Sequence, residues 1–187
     1  MATRSMIYIQ LKPENKGKTI YPDPKLLKKD NIQIISVDTL ENIPEDEIKK
    51  MPPLEIAPHK NYIGIYHHWD GYPEETGKTL LKNFNTYEKA LNLITYGDES
   101  SINETYKRKN ENIIRPYGFR SGTYRREDTD IPLAVKDIPT PYRLRRTVGS
   151  EYIYLFKEDE WYFSKIYGME NEEYQWQNLK DYLNLQE

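Results

Sequence analysis

No cysteine occurs in the chain, which removes disulfide staples, thiol nucleophiles and thiolate metal sites. Histidine is scarce at three residues, and phenylalanine and tryptophan contribute only 4 and 3 aromatic side chains. Aliphatic core material is short as well, with apolar residues at 37% of 187 positions against 30% charged. No run approaches the roughly 20 apolar residues of a membrane span, and Met1 to Gln10 lacks the apolar core of a secretory signal. A soluble, intracellular protein with no membrane partner is the expectation. What is plentiful is tyrosine, at 17 residues. The core must lean on tyrosine rings, and every buried hydroxyl then needs a hydrogen-bond partner. The length suits a single domain carrying an elaboration.

Along the chain, Ser5 to Leu11 reads as a strand apolar on both faces. From Lys12 to Lys60, seven prolines interrupt every element, although Ile32 to Val37 reads as a strand and Pro44 to Met51 as a helical turn or two. This stretch, 12–60, looks like a Pro-rich lobe inserted into a core. The region 61–104 restores order, with a strand at Tyr62 to His68 in which Gly64 signals a bulge or a close backbone approach. Two helices follow, Pro73 to Phe84 and Thr86 to Tyr96, read as a helical hairpin. Asn85 with Glu88 resembles a capping box, and Gly97 stands where a left-handed C-cap belongs. Gly77 within the first helix is expected to admit another backbone, such as the preceding strand. The region 105–150 shows no sustained period and is read as a basic loop. Finally, 151–187 holds a β-hairpin from Glu151 to Ile166 and a helix beginning at Asn171, with Trp176, Leu179, Tyr182 and Leu183 on one face. The expected architecture is α+β: a small antiparallel sheet packed on the helical hairpin, with the inserted lobe and a C-terminal helix.

The chemistry-bearing residues are few. Adjacent His67 and His68 on a strand point to opposite faces, so they cannot share one metal ion without a bulge, and no metal or cofactor is expected. One of these histidines is expected in the core with a satisfied ring nitrogen. Trp69 would anchor the sheet to the helices, and Asp70-Gly71 would make the turn and help cap the helix. Gly77-Lys78-Thr79 lacks the upstream glycine of a phosphate-binding loop, and no serine sits in a Gly-x-Ser-x-Gly elbow. Tyr62-Ile63-Gly64-Ile65-Tyr66 holds the two halves of a nuclease signature, but in reversed order around a shared glycine, and is read as coincidence. No catalytic residue is assigned, and an enzyme is not expected.

Charge is unevenly placed. The chain totals −3, yet residues 105–148 hold eleven lysines and arginines against five acidic residues. Tyrosine and phenylalanine interleave with the arginines, a composition suited to a protein interface or to phosphates. A charge run of this kind is most simply a solvated surface. The sharper reading makes Tyr117, Phe119, Arg120, Tyr124, Arg126, Arg143 and Arg145 a partner-binding face. The partner is expected to be a protein, with nucleic acid as the alternative ligand of this window. A different class of function, a small-anion or nucleotide pocket or a weak hydrolase, would use His68, Asp70, Lys78 and Arg125 around the helix start.

Several blocks together resemble a family of small, mostly uncharacterised bacteriophage and prophage proteins. They are Met1-Ala2-Thr3-Arg4-Ser5, Tyr66-His67-His68-Trp69-Asp70-Gly71-Tyr72-Pro73, Gly77 to Leu81, Ile94 to Ile102, and Tyr152 to Phe156 with Trp161-Tyr162. The His-Trp-Asp-Gly-Tyr block is the most specific, and the likeness spans roughly half the chain. Two departures stand out. Family members join their first two strands by a short turn where this chain has 12–60, and Tyr124-Arg125-Arg126-Glu127-Asp128 is a degraded form of a family run before the hairpin. The resemblance implies a phage or mobile-element origin, a location in the host cytoplasm or the virion, and an accessory role such as acting on a host defence or takeover target.

Overall fold

The computed structural model describes residues 3–23, 26, 53–102, 105–108, 111–114, 117–118, 132–166 and 173–184. The strand and helical turn expected at Ile32 to Val37 and Pro44 to Met51 lie outside these residues.

The architecture is α+β, built on a mixed sheet. Its centre is β1 (Ser5–Gln10), which pairs antiparallel with β4 (Tyr62–His67) and parallel with β10 (Tyr152–Lys157). β10 continues into β11 (Glu160–Lys165) through a two-residue turn, and short β12 (Gln177–Asn178) closes the far side. On its other flank β4 meets two partners, antiparallel β9 (Leu133–Val135) along residues 62–64 and parallel β5 (Glu99–Ser101) at His67. Between them the buried carboxylate of Asp98 accepts the Tyr66 N–H at 2.8 Å, so a side chain fills the break in the ladder. β8 (Tyr117–Gly118) lies on β5. Two separate pairings stand outside this sheet: β2 (Thr19–Ile20) with β3 (Leu54–Glu55), inside the proline-rich stretch, and β6 (Thr105–Arg108) with β7 (Glu111–Ile114).

The sheet is therefore not the antiparallel one expected. The hairpin returns to lie parallel beside β1, and the chain leaves β4, passes through two helices and comes back parallel to it as β5. That crossover is invisible in the sequence because Glu99-Ser100-Ser101 is short, polar and poor in β-forming residues.

Both faces of the sheet are covered, which is why β1 alternates Met6 and Tyr8 with Ile7 and Ile9 and buries all four. One face carries Ile7, Ile9, Ile63, Ile65, Tyr154, Phe156, Trp161 and Phe163 against the helical layer. Full burial of each such side chain contributes about 1.5–3 kcal/mol. The other face packs Met6, Tyr8, Tyr66, Ile153 and Leu155 against Leu144, with Tyr174 and Trp176 at its edge. The tyrosine-rich core satisfies several of its hydroxyls through backbone groups: Tyr154 donates to Gly71 O at 2.7 Å, Tyr174 donates to Pro139 O, and Tyr87 accepts from Lys12 N–H at 3.0 Å.

Helices form where expected, but no helical hairpin is evident. A π-helical turn (Pro73–Gly77) runs into α1 (Lys78–Asn83), then Phe84 breaks the helix and sinks into the core, its carbonyl accepting from Trp161 Nε1 at 2.8 Å. α2 (Tyr87–Thr95) begins afresh and lies on β1 and β4, whereas α1 leans on the C-terminal helix. The N-cap of α2 is Thr86, accepting from Lys89 N–H, rather than Asn85, and Gly97 takes the left-handed conformation (φ 81°) expected of it. Gly77 admits a side chain, not a strand backbone: a Cβ there would stand 3.0 Å from Leu179 Cδ1. Gly64 makes its close approach to a ring, since a Cβ would fall 2.5 Å from the Tyr8 ring carbons across the ladder.

Two further expectations are corrected. The basic stretch contains α3 (Pro141–Val148), with Thr140 as N-cap, proline at the first position and Gly149 at a left-handed stop (φ 67°). The C-terminal helix, α4 (Leu179–Leu183), starts at Asn178 rather than Asn171, and Trp176 sits with Tyr174 on the opposite side of the sheet from Leu179.

Candidate functional site

The His-Trp-Asp-Gly-Tyr turn is built from β4 and the π-helical turn. His67 is fully buried; its Nδ1 stands 3.2 Å from Ser5 Oγ and 3.5 Å from Thr76 Oγ1, while Nε2 has no hydrogen-bond partner. Burial, with the charge of His68 a smaller contribution, pushes its pKa down to about 3. The core histidine is present, but only one of its nitrogens is satisfied. His68 points the other way, half-buried, its Nδ1 2.8 Å from Tyr66 Oη and its ring edge-on to Trp69 at 4.8 Å. Trp69 is 47% exposed and so does not anchor the sheet to the helices. Asp70 holds a left-handed φ of 56°, and its carbonyl, not its carboxylate, takes the Thr76 hydroxyl (2.7 Å) and N–H (3.3 Å). Gly71 fits where a Cβ would meet Thr3 O at 2.7 Å. The turn is thus a structural node joining the N-terminus, β4 and α1.

Of the residues proposed for a pocket here, Asp70 and Lys78 are exposed, His68 is half-buried against Tyr66, and Arg125 lies outside the described residues. Exposed Glu74 and Glu75 occupy the first helical turn, where their negative charge repels an approaching anion, and the Glu75 and Thr76 N–H groups already donate to Tyr72 O. Among the described residues no group of three or more histidines or carboxylates could hold a metal ion.

In the basic window, Tyr117 lies in β8, Phe119, Arg120, Tyr124 and Arg126 fall outside the described residues, and Arg143 and Arg145 belong to α3. That helix buries Pro141 and Leu144 on the second face of the sheet and turns a polar side outward. Tyr142 is 47% exposed, and Arg143, Arg146 and Thr147 are exposed with it. The Tyr142 hydroxyl accepts from Arg146 Nη1 at 2.9 Å, and the Arg146 and Arg145 guanidinium carbons stand 5.7 and 6.0 Å from its ring centroid. Neither Arg143 nor Arg146 has a carboxylate within ion-pair distance among the described residues. The partner-binding set expected from the sequence leaves out Arg146 and counts Tyr142 only among the aromatics interleaved with the arginines. Their i, i+4 spacing, once Thr140-Pro141 is read as a helix start, is the signal that finds them.

At the opposite end of β1, a cleft of about 310 Å³ lies between Tyr87, Phe156 and the acidic hairpin turn. Lys12 is among its lining residues, with Nζ 4.5 Å from the Tyr87 ring centroid and 3.5 Å from Asp159 Oδ1. No family model, curated protein or solved structure matches the chain.

Proposed function

We propose that this protein acts by non-catalytic binding to a macromolecular partner, with α3 as part of the docking face. The observation that carries the reading is the outward side of that helix: a half-exposed tyrosine and two exposed arginines without carboxylate partners among the described residues, on a helix capped at both ends and anchored through Leu144. Tyrosine and arginine are the side chains that most often dominate protein interfaces. The resemblance to phage and prophage proteins supports an accessory role for this binding, with a host or phage protein as the proposed partner in the host cytoplasm or the virion. A nucleotide or small-anion pocket at the His-Trp-Asp-Gly-Tyr turn is the weaker reading, because two carboxylates guard that helix start.

The test is a nuclease-treated pull-down from bacterial lysate with the native protein and the R143E/R146E variant, both eluates analysed for proteins and small molecules. A stoichiometric protein held by the native chain and lost by the variant is the expected result. A bound nucleotide or other anion with no protein partner would transfer the function to the turn, and a partner held equally by both forms would remove α3 from the interface.

A further inference from the structure

We infer that α3 recognises a short acidic segment of its partner in which two carboxylates stand one residue apart in an extended chain. The inference rests on the binding reading above and specifies the chemistry of that site. Arg143 and Arg146 lie three residues apart on the exposed side of the helix, which places their Cβ atoms about 5–6 Å from each other. Alternate residues of an extended peptide are about 7 Å apart. Two planar guanidinium forks on flexible stems match that spacing, and each pairs with a carboxylate through two parallel hydrogen bonds.

The Arg146 fork is also held before any partner arrives. Its Nη1 donates to the Tyr142 hydroxyl at 2.9 Å and the group lies against the ring, so one donor is used and, among the described residues, the remaining N–H groups are left for a ligand. A preset side chain loses less conformational entropy on binding than a free one. Tyr142 is accordingly a positioning residue for Arg146. Charge complementarity selects the occupant: the window is locally basic while the whole chain is −3, so the remainder of the molecule repels a long polyanion but scarcely affects a short peptide beyond about 10 Å. That balance favours an acidic protein segment over nucleic acid.

The experiment is fluorescence anisotropy with the full chain and three short fluorescein-labelled probes: a peptide of alternating glutamate and serine, the same peptide with lysine for glutamate, and a single-stranded oligothymidylate. The glutamate peptide is expected to bind saturably, more tightly than the oligothymidylate, with no binding of the lysine peptide. R143Q and R146Q are each expected to weaken it by roughly tenfold, the loss of one charged anchor. Y142F keeps the ring but removes the hydroxyl, and is expected to weaken the peptide several-fold in the native chain and not at all in R146Q, a coupling that a merely structural tyrosine would not show. Tighter binding of oligothymidylate, equal binding by the arginine variants, or absence of peptide binding overturns the inference. If the R143E/R146E pull-down still loses its protein partner while the peptide fails to bind, only the acidic-segment assignment falls.

Discussion

Gly64 and Tyr8 face each other across the β1–β4 ladder, and the ring occupies the space a side chain at 64 would take. Gly64→Ala is therefore expected to destabilise the protein by about 1–3 kcal/mol through overpacking, read as a lower urea midpoint. Combining it with Tyr8→Ala, which empties the space, should cost less than the sum of the two changes. His67 leads to a pH prediction. Its imidazole is neutral in the folded state down to about pH 3, whereas in the unfolded chain it takes a proton below its ordinary value of 6.5. Between those values the unfolded state holds a proton that the folded state refuses, so this contribution to stability is fully present above pH 6.5 and is lost as the pH falls toward 3. Chemical unfolding at stepped pH should show stability decreasing through that window, and His67→Leu should flatten the slope. A core histidine was legible in the sequence from its place on an apolar strand. Which nitrogen finds partners was not, because Ser5 and Thr76, which meet Nδ1, arrive from other elements, while Nε2 is left without one.

At the scale of elements, legibility followed the strength of local signals. The strands around Ile7, Ile65 and Tyr154 and the helix around Leu91 declare themselves through period and caps, and they are where they were expected. α3 was missed because three arginines within eight residues leave only Leu144 and Pro141 to bury, too few to draw an apolar stripe, although the proline start and glycine stop were both visible. Two of the candidate partner residues, Arg143 and Arg145, stand out in the sequence by charge alone, without the helix that orders them. α4 is shorter than the sequence suggests because Glu172-Glu173 imitates a first turn, whereas Asn178 is the actual cap, accepting from Asp181 N–H and also donating to Glu160 at 2.9 Å. Gly149→Ala tests the end of α3. It puts a side chain at φ 67°, so a loss of about 1–2 kcal/mol is expected in thermal or urea unfolding. Arg4→Ala in the same background should recover little of it, because Arg4 Nη1, 2.7 Å from the new Cβ, is the end of a flexible side chain that can move aside.

For the whole molecule, the decisive feature is a parallel pair joining the first strand to a hairpin near the other end of the chain, Ser5 beside Tyr152. Composition and pattern yield strands one at a time, but pairing between distant segments is settled by which arrangement buries both faces, and no local period records it. The same pair makes β1 the keystone: removing residues 1–11 takes out the strand that joins β4 to β10 and exposes both cores, so the truncated chain is expected to lose cooperative unfolding, seen as a collapse of dispersion in its amide NMR spectrum. On the ribosome the order of events is unfavourable. β1 is made first and can meet β4 early, yet its other edge stays bare until the β10 segment has been synthesised, and an apolar strand with an open edge is a ready site for misassembly. Newly made chains, rather than the finished protein, are therefore the form in which that edge is open to misassembly.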